Sequence, residues 1–149
     1  MIVRDPDGQA AVVRRILGYT RRIAVVGLSD DPTRTSHGVA LSLLRQGYEI
    51  VPVNPNIDSW HGLRAWPSLA DVPEDIDLVN VFRRRQHLDT LADEVVARGG
   101  VRGLWLQQGL RSTHARTVTA AAGIDYVEDR CSRVEVALHA DLMELPPAA

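Results

Sequence analysis

The chain contains no lysine; all 17 basic residues are arginine. Schiff-base chemistry on a lysine amine is therefore excluded, and any anion site must use guanidinium groups or main-chain N–H groups. Cysteine occurs once, at Cys131, which excludes an intramolecular disulfide and a cysteine-based metal cluster. One Phe and two Met leave the core to Val, Leu, Ile and Ala. No apolar run approaches the roughly 20 residues of a membrane-spanning helix. Met1–Ala11 is polar, carries Asp5 and Asp7, and does not read as a secretory signal, so the expected location is the cytoplasm. A net charge of −2 supplies no basic field for nucleic acid. None of His37, His61, His87, His114 and His139 pairs with another at i,i+4, and no H-E-x-x-H occurs, so no metal site is expected.

What is present is the composition of a folded domain: 149 residues, 45% hydrophobic and 24% charged, read as one domain over 1–149. Val12, Val13, Ile16 and Leu17 recur at helical spacing and predict a helix over about 8–18, stopped by Gly18. The run Ile23–Val26 fits a strand covered on both faces. "SHGVALSLLRQG" reads as a helix capped by Ser36 and ended by Gly47, and "YEIVPVNP" as the next strand. "DLVNVF", "VRGLWLQQG" and "IDYVED" supply three more strands, separated by helices over "RRQHLDTLADEVVARGG" and Ser112–Ala122. A last helix is expected over about 133–144. Strands alternating with helices imply an α/β fold: a doubly wound, five-stranded parallel sheet with helices on both faces, expected order 3-2-1-4-5. Ligands of such sheets bind beyond the carboxyl ends of the strands, where the strand order reverses.

The loop after the first strand, "GLSDDPTRTSHG", lies at that edge. Gly27 ends the strand where the chain must turn and let a ligand approach. Ser29, Thr33, Thr35 and Ser36 offer hydroxyls and Arg34 a guanidinium fork, beside a helix N-terminus that favours anions. These parts suit a pyrophosphate, although Asp30 and Asp31 oppose it unless they face solvent. The three closely spaced glycines of G-x-G-x-x-G are missing, and Asn54-Pro55 stands where an NAD site places an acid for the ribose. Arg83-Arg84-Arg85 follows the third strand as a second anion-binding candidate, because cations are unfavourable at a helix start without a partner.

Five pieces in order, "IAVVGLSDDPTRTSH", "GYEIVPVNP", "PSLADVPEDIDLVNVFRR", "LWLQQG" and "AAGIDYVEDRC", span roughly Arg22 to Cys131. Together they resemble the small single-domain CoA-binding proteins, Rossmann-like relatives of the nucleotide-binding domain of succinyl-CoA ligase alpha chains. The resemblance implies a protein that binds CoA or an acyl-CoA without catalysis of its own. It puts Gly27, Ser29, Arg34, Ser36 and His37 at the phosphates. It puts Pro52, Val53 and Asn54 by the pantetheine or ribose, and Phe82 and Arg83 by the adenine or 3′-phosphate. Trp105, Gln107 and Gly109 form the far wall, and Leu28, Pro55 and Arg84 belong to the same cleft. The family often has a basic residue where Asp31 stands, Pro at Thr35 and Arg at Gly38.

Two other readings stay open. One is a nucleotide-dependent oxidoreductase. The other is a thiol or acyl-transfer module centred on Cys131, which follows Asp129-Arg130 at a strand end and has Arg133 nearby to lower its pKa. Its bland reading is a small buried residue. Trp60 and Trp66 lie in a connection and are expected as a lid or an interface; a homodimer or a partner protein is equally open.

Overall fold

The computed structural model describes residues 5–140. Five parallel strands form the sheet: β1 (Arg22–Val26), β2 (Glu49–Val53), β5 (Ile76–Val81), β6 (Val101–Leu106) and β7 (Asp125–Val127). A two-stranded antiparallel hairpin, β3 (Ser59–Trp60) and β4 (Leu63–Arg64), interrupts the path from β2 to β5. The helices are α1 (Ala10–Tyr19), α2 (Thr35–Arg45), α3 (Leu88–Arg98), α4 (Thr113–Ala122) and α5 (Ser132–Leu138). The expected last helix ends sooner than the sequence suggests, and its expected stretch past residue 140 lies outside the described residues.

The sheet is doubly wound, as the alternation of elements implies. Val26, Val79, Val81 and Leu104 pack with Leu88, Leu91 and Val95 of α3 on one face. Ile23, Val25, Leu78 and Trp105 pack with Ile16 of α1, Val39 and Leu43 of α2 and Val136 of α5 on the other. The continuous apolar runs of β1 and β5 are what burial on both faces demands.

The strand order is β2-β1-β5-β6-β7, which counts the five parallel strands as 2-1-3-4-5. The expected 3-2-1-4-5 is therefore corrected. In it the second strand would be interior and hydrogen-bonded on both sides, but that strand contains Pro52, whose nitrogen carries no hydrogen and which sheets confine to edges. In the structure β2 is the outermost full strand. Its free side is covered by the chain beyond the hairpin: Trp66 donates its N–H to the Pro52 carbonyl at 2.9 Å and accepts from the Asn54 N–H at 2.9 Å. The Trp60–Trp66 excursion, expected as a lid or interface, thus covers a sheet edge, with Trp60 buried and the Arg64 guanidinium stacked over Trp66.

Two smaller expectations also change. Gly18 does not stop α1, which runs on to Tyr19 and is closed by the Thr20 N–H and hydroxyl, both bonded to the Ile16 carbonyl. Ser36 does not cap α2. The helix begins at Thr35, with Arg34 in the N-cap position two residues before Ser36 and no side-chain cap.

Candidate functional site

Because β2 and β5 flank β1 on opposite sides, the chain leaves the carboxyl end of β1 toward one edge and that of β5 toward the other. The crevice this opens begins at Gly27. Here φ is +86°, and a Cβ would lie 2.1 Å from the Phe82 carbonyl oxygen. Only glycine fits, for both reasons. The Gly27 N–H bonds the Val53 carbonyl and the Phe82 N–H bonds the Val26 carbonyl, so the ends of β1, β2 and β5 are held in fixed register around the gap.

Two adjoining hollows share Gly27. The larger, about 660 Å³, lies at the start of α2, with Ser29, Thr33, Arg34 and Ser36 on one side and Asn54, Ile57 and Phe82 on the other. The smaller, about 250 Å³, opens toward α3. Its floor is Val26, Val53, Leu69 and Leu91, and its rim carries Arg83, Ser68, His87 and Glu94.

The larger hollow combines main-chain donors, hydroxyls and a guanidinium with one carboxylate, Asp30. Since α2 has no side-chain cap and the His37 N–H already reaches the Arg34 carbonyl, the N–H groups of Thr35 and Ser36 are the open donors among the described residues. Ser36 instead accepts the Ser29 N–H at 3.0 Å, which draws the loop into an arc around these donors. The Asp31 carboxylate accepts both the N–H and the hydroxyl of Thr33 at 2.9 and 2.8 Å. Those bonds, the main-chain one first, hold it below the usual carboxylate range. Asp31 is thereby engaged by its own turn, while Asp30 lines the hollow. The guanidinium groups of Arg34 and Arg83 make no hydrogen bond or ion pair among the described residues. Asn54 fixes the opposite wall: its Nδ2 donates to the Leu28 carbonyl at 2.9 Å and its Oδ1 accepts the Asn56 N–H at 2.9 Å.

Of the residues singled out in the sequence, Gly27, Ser29, Arg34, Ser36, Asn54 and Phe82 meet in the larger hollow, and Val53, Pro55 and Arg83 in the smaller. Asp30, Thr33 and Thr35 also line the larger hollow, and the remaining candidates line neither. Leu28 is fully buried. His37 is buried with its ring edge-on to Trp60 at 5.7 Å. Arg84 precedes a 3₁₀ turn at Arg85–His87, and Arg85 is spent on the Gly109 carbonyl at 3.1 Å. Trp105, Gln107 and Gly109, expected as the far wall, lie outside both hollows. Trp105 has no exposed surface and donates its indole N–H to the Arg130 carbonyl at 2.8 Å. Gln107 is buried against Asn80 and Ser132. Gly109 takes φ +88° and donates to the Asp129 carboxylate at 2.7 Å. Cys131 lies apart, in a groove with Arg130, Val134 and Leu138.

Sequence reasoning missed Asn56 and Ile57 in the larger hollow and the group Ser68, His87, Leu91 and Glu94 in the smaller. The latter had a signal: His87, Leu91 and Glu94 recur at helical spacing on the segment that follows Arg83.

Fold and cleft define a doubly wound, Rossmann-like α/β domain whose switch point carries main-chain donors and arginine. Residues 21–137 match the model of the CoA-binding domain family, and the chain belongs to that family. It is 43% identical over 124 residues to the uncharacterized protein YneT of Bacillus subtilis, covering 83% of this chain and 91% of that one. A structure from Thermus thermophilus superposes with a TM-score of 0.79 at 37% identity, covering 88% of this chain and 96% of the other. Similarity at 33% identity also extends over 66 residues to an ADP-forming acetate–CoA ligase of Archaeoglobus fulgidus, of which the match spans only 10%.

Proposed function

We propose that this protein binds CoA, or an acyl-CoA, in the crevice at the ends of β1, β2 and β5, and acts as a binding module. The observation that carries the reading is the uncapped start of α2, whose free N–H groups and Arg34 share a hollow with the Ser29 and Ser36 hydroxyls. A pyrophosphate matches that set: it offers oxygen acceptors to the N–H groups and charge to the helix dipole and guanidinium. Arg83, on the rim of the adjoining hollow, supplies a second cation for the ribose 3′-phosphate, and the apolar floor beneath it suits an uncharged portion of the ligand. Family membership supports the same ligand. The reading in which Cys131 does chemistry on the bound thiol has less support, because Cys131 borders a different groove from the two hollows.

A ligand that binds only the folded state raises the apparent melting temperature. CoA is expected to raise it, with NAD, NADP and ATP giving little or no shift. Dephospho-CoA should give a smaller shift than CoA, and the difference between the two should vanish in Arg83→Ala. Equal shifts from CoA and ATP, or none from CoA at millimolar concentration, would sink the proposal.

A further inference from the structure

At the opposite edge of the sheet β7 has no outer neighbour among the described strands. The direction of its main-chain groups follows from the ladder. The Gln107 N–H bonds the Val81 carbonyl, so the odd residues at the end of β6 face β5 and the even ones face β7. With Leu104 opposite Tyr126, the main chain of Asp125 and Val127 then faces β6, and that of Tyr126 and Glu128 faces outward. At Glu128 a side chain stands in for the missing strand: the Gln9 carboxamide accepts the Glu128 N–H at 2.8 Å and donates to its carbonyl at 2.7 Å. At Tyr126 no described residue does this. Its N–H and C=O open into a groove of about 480 Å³ between α1 and α4, walled by Val12, Ala120 and Ile124.

We propose that this edge accepts a short extended peptide of acidic character from a partner protein, as an added strand. One residue of the peptide exchanges two hydrogen bonds with Tyr126, the arrangement Gln9 imitates two residues further on. The charge follows from how the rim is layered. Arg15 and Arg116 have side chains 59% and 62% exposed, and the acids they pair with, Asp125 and Glu128, are 21% and 5% exposed. The outermost groups over the groove are therefore the guanidinium heads of Arg15, Arg111 and Arg116, with Asp125 and Glu128 beneath them, while the third acid of the lining, Asp7, is 28% exposed and held by Arg130. A second copy meeting this edge about a two-fold axis would bring the same arginines against themselves, and like charges in an interface are costly. An acidic segment meets them with opposite charge.

The test uses the intact protein and three blocked seven-residue peptides at low salt: alternating Glu and Thr, alternating Lys and Thr, and the Glu–Thr peptide with N-methyl groups on every amide, which blocks both of its edges. The readout is the Tyr126 amide, by its chemical shift and its hydrogen exchange. The expected result is a saturable shift and slowed exchange with the Glu–Thr peptide, binding weaker by about tenfold with the Lys–Thr peptide, and loss on N-methylation. Any of four results overturns the proposal: no response at millimolar peptide, equal response to both charges, undiminished binding of the N-methylated peptide, or a Tyr126 shift that tracks protein concentration alone and so assigns the edge to a second copy. Saturating CoA should leave the titration unchanged, which separates this site from the crevice at β1.

Discussion

A methyl group on Gly27 would meet the Phe82 carbonyl oxygen at 2.1 Å, and the backbone there is left-handed. Gly27→Ala must therefore push the β5 exit away from β1. A cost of roughly 2–4 kcal/mol combines the left-handed strain with overpacking, and denaturant unfolding checks it. The same displacement would widen the crevice, so CoA binding should weaken even where the variant is folded. Arg34 and Arg83 work differently. Neither guanidinium makes a hydrogen bond or ion pair among the described residues, so Arg34→Ala and Arg83→Ala should leave the melting temperature of the free protein within a degree or two. Each should lower CoA affinity by about tenfold, the worth of one charge-assisted hydrogen bond, measured by titration calorimetry. A loss of stability comparable to that of Gly27→Ala would assign them to the fold and not to the ligand.

Among the elements, α2 and α4 start in contrasting ways. Ser112 caps α4 by accepting the Ala115 N–H at 2.9 Å, and its hydroxyl donates to Asp89 at 2.6 Å, so α4 is tied to α3. Ser112→Ala should cost about 1–2 kcal/mol by thermal unfolding and leave CoA affinity unchanged. Helix α2 lacks such a cap and leaves its first N–H groups open among the described residues. The N-terminal segment is an element held by charge: Arg130 bonds Asp5, Asp7 and Glu135. Its hydrogen bond to Asp7 is the main reason the Asp7 carboxyl lies well below its ordinary value of 3.8. A carboxyl depressed in the folded state contributes stability that is fully present above its ordinary value and lost as pH falls toward the folded one. Attachment of this segment should therefore be unaffected from pH 7 to about 5 and weaken below about 4, seen as a loss of protection at the Gln9–Val13 amides relative to their intrinsic exchange rate at each pH. In the Arg130→Gln variant exchange should already be fast at neutral pH. The ion pair of His114 with Asp93 has the opposite sign. Its imidazole is raised above 6.5, chiefly by the hydrogen bond to Asp93, so its small contribution is lost as pH rises through neutrality.

For the molecule as a whole, the sequence carries the layer structure well and the lateral order of strands less well. Apolar runs at Ile23–Val26 and in "DLVNVF" mark strands buried on both faces, and the alternation with helices leaves little choice but a parallel sheet. Pro52 also marked β2 as an edge, but a single residue is easily outweighed by the more familiar order. At the site, the loop after β1 was legible because its chemistry is local: glycine, hydroxyls, an arginine and a helix start lie within ten residues. For the expected far wall the sequence is less informative, because Trp105 lies near the end of β6 and Gln107 just beyond it, and they reach the ligand edge only if α5 leaves them uncovered. Instead Ser132 at the start of α5 bonds Asn80 at 2.8 Å and sits over Gln107, sealing that side. In the smaller hollow the helical spacing of His87, Leu91 and Glu94 is local, but their meeting with the connection that arrives from Pro67–Leu69 is long-range and has no local signature.

The central claim is that one crevice, formed where the ends of β1 and β5 part, receives the anionic groups of CoA on main-chain amides and arginine. The most direct measurement is a titration of the isotopically labelled protein with CoA, read at every assigned amide. The largest shifts should fall on Gly27–Gly38, with Thr35 and Ser36 foremost, and on Phe82–Arg83, while Gly109 and Cys131 stay near their free positions. Shifts concentrated around Cys131, or spread over the surface without saturation, would contradict it.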